Sequence, residues 1–368
     1  VAEPRQRRVL YFIVRYPTFS ETYMHEEIRS VRDRYEVDIV TYALCIDPRQ
    51  EPFPYHYVPY LDTCLVYGKF GSVNRDFSSL RQRFFLDRID RLIEEFRPDV
   101  MHAHYFGLAL LLDNLSQRHG IPYTLRTHSM DVLSEPEDKL KVLCETVSRP
   151  ACLRVLTFPR FRETLLRHGA SSDRLVDCWP VLNFGRFATE GRASGGRRVM
   201  CAGPAIRKKR HGDFVDLAAR MRGSGFSFEL YARGPSLLKT RAHNLASGSP
   251  VQIAYVDPDQ MPAVYREHDW LVYPSDPAVN KVGLPVSIVE AQAAGLGVCW
   301  QELPGRRDEQ LEFLGGAGLL FQSIDEVPAL LEAGYPEAMR ARGLENARKC
   351  DIQGHRHLLT EAWDAVAL

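Results

Sequence analysis

Two apolar periodicities alternate along this chain. Short unbroken apolar runs are followed by stretches whose apolar positions fall three or four residues apart, the pattern of buried parallel strands feeding amphipathic helices. The run from Val9 to Val14 predicts a buried strand, and Met24, Ile28 and Val31 then trace one face of a helix. Thr18 and Glu21 stand at the Thr-x-x-Glu spacing of a capping box, which predicts a helix start here. Further strands are predicted over 37–42, 100–103, 123–126 and 154–157, with helices over 77–96, 108–119 and 139–146. Such a βα series implies a doubly wound parallel sheet. Residues 47–75, rich in Pro and Tyr, carry neither periodicity.

The pattern then restarts. Residues 189–196 form a linker of small residues, and strands are predicted over 198–202, 228–232, 252–255 and 270–273, followed by a helix over 285–294. The fold class expected is therefore α/β, with two Rossmann-like doubly wound domains, 1–185 and 186–351, facing each other across a cleft. Open sheets of this kind bind ligands beyond the carboxyl ends of their strands.

Composition narrows the function classes. A length of 368 residues suits two domains. Forty-seven basic and 47 acidic residues cancel, so no overall field favours nucleic acid. The eight cysteines are scattered without a Cys-x-x-Cys pair and read as reduced thiols of a cytoplasmic protein. No apolar run reaches membrane-spanning length, and the first eight residues are charged rather than signal-like. The helix carrying Arg81, Arg83, Phe84, Phe85, Arg88 and Arg91 offers peripheral contact with a lipid surface or lipid-linked acceptor; ordinary packing of Phe84, Ile89 and Leu92 inward is the favoured reading.

Three stretches carry candidate chemistry. In the first, residues 280–295, Pro285 suits the first turn of a helix, and the free N–H groups at Val286 and Ser287 would seat a diphosphate. Glu290, one turn further, is suited to accept hydrogen bonds from ribose hydroxyls; a solvated surface carboxylate is the plain alternative. In the second, residues 200–213, a strand ends at Gly203 and a short loop carries Arg207, Lys208, Lys209 and Arg210 ahead of a helix near Asp213. A cation at such a turn is what a leaving diphosphate requires, although some of the four must simply be solvated. In the third, His102 and His104 alternate on one face of a strand end, with His128 at the end of the next strand. A three-histidine metal site is disfavoured because no carboxylate stands at ligand spacing. A hydrogen-bonding role for His128 beside a sugar, and a buried, satisfied His102, fit better.

In combination these stretches resemble the family-4 retaining glycosyltransferases, the glycogen-synthase-like branch of the GT-B fold, in the correct order over nearly the whole chain. Tyr16-Pro-Thr-Phe-Ser-Glu-Thr22 is similar to a Pro-x-x-Ser-Glu-Thr opening used in bacterial polysaccharide synthesis, placing Thr18, Ser20 and Glu21 on the acceptor side. Residues 99–107 are similar to the family's Asp-Ile-Ile-His-Ala-His segment, which adds His104 to that side, and 127–131 to its Thr-x-His-Gly-x-Asp turn, which places His128 at the donor sugar. Leu182-Asn183 occupies the family's linker position. Gly203 and Lys209 match the diphosphate-holding loop; Pro204 replaces its Arg, for which Arg207 or Lys208 would substitute. Gly283, Leu284 and Pro285, with Glu290 and the Ala-rich run to Gly295, match the end of the Glu-x7-Glu motif, where the first Glu is replaced by Val282. Glu309 falls near a later Gly-Gly-x-x-Glu segment.

The resemblance implies sugar transfer from a nucleoside diphosphate donor with retention at the anomeric carbon. It implies no metal or other cofactor, and His128, Arg207 and Lys209 at the reacting groups. Donor contacts would come from Gly203, Lys208, Gly283, Leu284, Pro285, Val286, Ser287 and Glu290, and the acceptor would be a glycan, a lipid-linked molecule or a small molecule. It also implies a last helix, about 352–368 and including Trp363, packed back on the first domain. Val282 and Pro204 keep a second reading open, that of a catalytically degenerate binding or partner subunit. A hydrolase using His102, His104 and His128 on a metal is the third.

Overall fold

The structure, a computed structural model, describes residues 5–18, 21–44, 53–59, 80–189, 195–279 and 283–367. The chain divides into two compact units, Val1–Trp179 with His355–Leu368, and Pro180–Gly354. Each unit is built on one sheet whose strands are all parallel.

The first sheet comprises β1 (Arg7–Arg15), β2 (Tyr35–Ala43), β3 (His56–Tyr57), β4 (Val100–His104), β5 (Tyr123–Arg126), β6 (Cys152–Thr157) and β7 (Leu175–Asp177). Their spatial order is β3-β2-β1-β4-β5-β6-β7. β1 sits at the centre, with Val9 opposite Val37 of β2 on one side and Val100 of β4 on the other. Residues 9–14 of β1 and all of β4 are buried, because helices cover both faces of the sheet.

The second sheet comprises β8 (Arg198–Ala202), β9 (Ser227–Tyr231), β10 (Gln252–Ala254), β11 (Trp270–Tyr273), β12 (Gly297–Gln301) and β13 (Leu319–Phe321), in the order β10-β9-β8-β11-β12-β13. Both orders reverse direction once, between β1 and β4 and between β8 and β11. These are the topological switch points at which doubly wound sheets bind ligands.

Several elements depart from the pattern-based expectation. The helix after β1 starts at Thr22, with Glu21 outside it and no side chain capping it. Only half of the expected capping box forms: Glu21 N–H donates to Thr18 Oγ1 at 3.1 Å, while the Glu21 carboxylate turns elsewhere. Pro285 is the cap of helix Val286–Ala293 and not its first helical residue. In helix Leu80–Phe96 the inward face is Phe85, Leu86, Ile89 and Ile93, whereas Phe84 is 68% exposed beside Arg83. The inward placement of Phe84 is thus overturned: a phase shift of one residue turns its ring to solvent. No helix among the described residues is long and apolar enough to cross a membrane.

Leu182 explains why the division falls after Trp179. Its N–H donates to Cys350 O (3.0 Å) and its carbonyl accepts from Ile352 N–H (2.8 Å), so the segment beyond Pro180 pairs within the second unit. The chain then returns to the first unit. In helix His357–Asp364, Trp363 is fully buried, its ring edge-on to Tyr35 (5.1 Å), His102 (5.8 Å) and Tyr11 (6.1 Å). Its indole N–H donates to Thr124 Oγ1 at 3.0 Å. Truncating Trp363 to Ala removes that volume and one of the hydroxyl's partners, and should lower the stability of the first unit by about 3–5 kcal/mol. Urea unfolding followed by tyrosine fluorescence and far-UV dichroism checks this; a loss under about 1 kcal/mol would mean that the helix is not seated there.

Candidate functional site

At the first switch point the segments leaving β1 and β4 meet. Tyr105, the residue after β4, takes φ +87°, a conformation that a bulky side chain adopts only under constraint. The constraints are visible. Tyr105 N–H donates to Arg126 O at 2.9 Å, and its hydroxyl donates to the Glu21 carboxylate. Phe106 N–H donates to Asp131 Oδ2 at 2.6 Å, and Asp131 Oδ1 accepts from His128 N–H at 2.7 Å. One buried carboxylate thereby ties the turn after β4 to the turn after β5. Burial pushes the Asp131 carboxyl up to about 8 against the opposing pull of those backbone donors. Burial likewise raises Glu21, partly offset by the Tyr105 hydroxyl.

Beneath this rim lies a charged cluster. Glu27, on helix Thr22–Val31, is about 1% exposed. Its Oε2 accepts from Arg126 Nε at 2.7 Å and lies 2.6 Å from Arg126 Nη2. Its Oε1 lies 3.1 Å from His104 Nε2 and 3.2 Å from His102 Nε2. Arg126 also donates to Cys178 Sγ at 3.0 Å. His104 Nδ1 is in turn 3.2 Å from His128 Nε2, and His102 Nδ1 is 2.8 Å from Thr124 Oγ1. Burial alone would raise the Glu27 carboxyl, but Arg126 and then the imidazoles hold it well below the usual carboxylate range. Burial holds His102 down to about 4 and His128 well below the ordinary histidine value.

This geometry corrects the view that no carboxylate accompanies the histidines. Glu27 does so, brought from the helix after β1 and hence invisible to spacing along β4 and β5. Glu27, His102 and His104 form a group dense enough in donor atoms to hold a metal ion. The chemistry of the set argues otherwise: Arg126 already neutralises Glu27, and a divalent cation would leave about two positive charges in a dry interior.

At the second switch point, β8 ends and the chain leaves the sheet through Gly203 at φ +135°. Gly234, at φ +140°, lets the next loop approach: a Cβ there would stand 2.8 Å from Ala205 O. Residues Arg207–Lys209 make one 3-10 turn before helix His211–Arg220. Lys209 points back toward the sheet, its Nζ 4.1 Å from the ring centroid of Tyr273 at the end of β11, while Arg207 is exposed. Burial, and then Lys208, hold the Lys209 ammonium down to about 7. Lys208 is partly buried, and its carbonyl accepts from Asp276 N–H at 2.9 Å.

After β11 the chain passes Gly283, Leu284 and Pro285 into helix Val286–Ala293, whose start no side chain caps. Val286 and Ser287 are partly exposed there. Glu290 Oε2 accepts from the buried Tyr265 hydroxyl at 2.9 Å. The structure thus assembles Thr18, Glu21, His104 and His128 on one sheet edge and Gly203, Lys209 and the 283–290 segment on the other. Glu309, on helix Arg307–Leu314, pairs with Arg306 at 2.7 Å. Ser20 and Val282 lie outside the described residues. Sequence reasoning missed Glu27, Arg126, Tyr105 and Tyr265. A charged or polar residue amid apolar positions, as Glu27 beside Ile28 and Arg126 at the end of β5, was the only available signal.

The buried imidazoles set a pH limit on the first unit. His102 takes up a proton at about 4 when folded and near 6.5 when unfolded, so acidification favours the unfolded chain across that window. Stability should fall by roughly 3 kcal/mol between pH 6.5 and 4 on this account. Urea titrations along that range check it, and H102N should flatten the slope; an unchanged slope would remove His102 as its source.

The comparisons with known proteins follow the same division. Residues 20–176 match the glycosyl transferase 4-like domain family. No curated protein matches the chain in sequence. Among solved structures, Anabaena HepE in complex with UDP and glucose aligns with a TM-score of 0.72 at 13% identity over 97% of this chain and 99% of that one. An E. coli trehalose-6-phosphate protein bound with UDP-2-fluoro glucose gives 0.68 at 11% over 98% and 99%. Sucrose-phosphate synthase from Thermosynechococcus elongatus gives 0.64 at 16% over 98% and 96%. The fold of this chain is the GT-B fold of glycosyltransferases.

Proposed function

We propose that this chain is a metal-independent, retaining glycosyltransferase. It moves a sugar from a nucleoside diphosphate to a hydroxyl of a glycan, a lipid-linked molecule or a small molecule, in bacterial surface polysaccharide or secondary-metabolite synthesis at the cytoplasmic side. What supports this reading is that Lys209 reaches the end of β11 and that Glu290 lies on the helix that follows β11. A cation over the sheet edge and an uncapped helix start suit a diphosphate, and a carboxylate oriented by Tyr265 suits a ribose. The glycosyl transferase 4-like match over residues 20–176 and the UDP-containing complexes among similar structures support it.

In this reading Lys209, Arg207 and the N–H groups at Val286 and Ser287 stabilise the charge that grows on the departing diphosphate. The sugar reacts on the face its phosphate leaves, and a phosphate oxygen takes the acceptor's proton. Pro204 leaves Arg207 and Lys208 to replace the family's missing loop arginine.

Calorimetry with UDP, GDP, ADP and TDP should find at least one ligand, and E290A should weaken it about 10- to 100-fold by removing hydrogen bonds to a charged acceptor. A nucleotide-sugar panel with the right acceptor should then release the nucleoside diphosphate. Binding without turnover would favour the degenerate subunit; neither binding nor turnover would end the proposal.

Lys209 supplies a second test. At pH 8.5 it is largely neutral when unliganded, and a bound diphosphate restores its charge. Binding should therefore take up close to one proton per nucleotide at that pH, and affinity should fall as pH rises above 7. Calorimetry in buffers of different ionisation enthalpy measures the uptake, which K209M should abolish. Equal apparent enthalpies in all buffers would exclude Lys209 from the diphosphate.

A further inference from the structure

We propose that Glu27 is a positioning residue that acts through His104 to lock one tautomer of His128, so that His128 presents an open Nδ1 lone pair to a substrate hydroxyl. The inference deepens the reading above and rests on it for the identity of the ligand, but not for the lock itself.

The protons are fixed outward from the buried charge. An ionised carboxylate only accepts hydrogen bonds. Glu27 is ionised, since Arg126 Nε and Nη2 both close on its Oε2. His104 Nε2, 3.1 Å from Oε1, must therefore carry a proton. With Arg126 already balancing Glu27, a second buried cation is disfavoured, and His104 is taken as the neutral imidazole with its proton on Nε2 and a lone pair on Nδ1. His104 Nδ1 faces His128 Nε2 at 3.2 Å, with the two ring planes 18° apart, an arrangement suited to an edge-to-edge hydrogen bond. His128 Nε2 is then the donor. Burial above all disfavours a charged His128, so with its proton on Nε2 its Nδ1 is left as an acceptor. Among the described residues nothing donates to that nitrogen, and His128 is partly exposed at the carboxyl end of β5.

The backbone fixes the same ring from the other side. His128 N–H is held by Asp131, which also holds the turn after β4 that carries Tyr105. Ring position comes from Asp131 and the neighbouring Tyr105 and Tyr23 rings (4.7 and 5.2 Å), whereas ring polarity comes from Glu27. A purely structural carboxylate would need Arg126 alone. The two imidazoles on the free oxygen are what transmit its charge outward. The ligand that fits an obligate acceptor is a hydroxyl that donates, as a sugar or acceptor alcohol can; an anionic oxygen would be repelled.

The experiment is nitrogen NMR of histidine-labelled protein, with the His128 signals assigned through H128Q. In the unliganded wild type His128 should be neutral, protonated on Nε2 and unprotonated on Nδ1 from pH 6 to 8. In E27Q it should become a mixture of tautomers, and kcat/KM for sugar transfer should fall on the order of tenfold to a hundredfold. A conservative pair covers the case in which E27Q does not fold. His104→Gln, whose amide can donate to Glu27 and accept from His128, should keep the tautomer, and His104→Leu should lose it. A wild-type His128 protonated on Nδ1, or one unaffected by both E27Q and His104→Leu, would overturn the proposal. So would stoichiometric zinc in the purified protein, which would make the cluster a metal centre. The tautomer is read without substrate: a locked His128 in a protein that transfers no sugar would sink the functional reading and leave the lock standing.

Discussion

Glu27 places a negative charge where water does not reach, and most of the first unit's carboxyl edge is arranged around that fact. Removing a carboxylate from water costs several kcal/mol unless cations and donors replace its hydration. Arg126 supplies the compensating charge, His104 pairs with the other oxygen, and His102 Nε2 stands 3.2 Å from it. Each of these has its own second contact: Arg126 on Cys178, His102 on Thr124, His104 on His128. Thr124 in turn accepts from Trp363 of the final helix. A single buried charge therefore links the helix after β1, strands β4 and β5, the chain's last helix and the rim where His128 emerges. Such networks are rigid when every member is satisfied, because no partner can leave without stranding another.

The second unit handles a partly buried charge in the opposite way. Lys209 is drawn over Tyr273, and among the described residues no carboxylate is paired with it. That is costly for the empty protein and useful for an anion binder, since the missing negative charge is what the ligand brings. The two sheets thus share one strand order over six strands and the same switch-point logic but have opposite electrostatics. The first edge is prepaid and neutral, suited to orienting hydroxyls; the second is short of an anion, suited to a diphosphate. The Glu290 carboxylate takes its direction from the Tyr265 hydroxyl.

What the sequence made legible follows from the range of the interactions involved. The strands 123–126, 198–202 and 270–273 were placed to the residue, because a parallel strand buried on both faces is an apolar run with sharp ends. The short edge strands β7 and β13, of three residues each, were missed, since so brief a run has no period. Phe84 was assigned the wrong face because Phe84 and Phe85 satisfy a helical stripe almost equally well, and only the packed neighbours choose between them. Glu21 illustrates a local signal overridden from a distance: its spacing to Thr18 predicts a cap, but Tyr105, far along the chain, captures the carboxylate. For the site, residues lying within one loop, such as Gly203 and Lys209 or Gly283 and Glu290, were readable together. Partnerships across the sheet were not.

Glu27 shows why that limit is physical. On sequence it is one of two adjacent glutamates on an amphipathic helix, and spacing gives no reason to prefer it to Glu26. The structure separates them completely: Glu26 pairs with Arg29 at 2.7 Å within its own helix, whereas Glu27 reaches His104 and Arg126 on two strands. The difference is set by the parallel register of β1, β4 and β5, which stacks the ends of the central strands beneath the helix that follows β1. Once that register exists, the position facing the strand ends must be either apolar or charged with partners. Its being a carboxylate, ringed by donors of which two are imidazoles, goes beyond what packing requires. Replacing Glu27 alone would strand Arg126, but an apolar set in place of the whole cluster would serve stability as well. The retention of a charge here is accordingly best explained by what the charge does to the next proton outward, on His104 and then on His128.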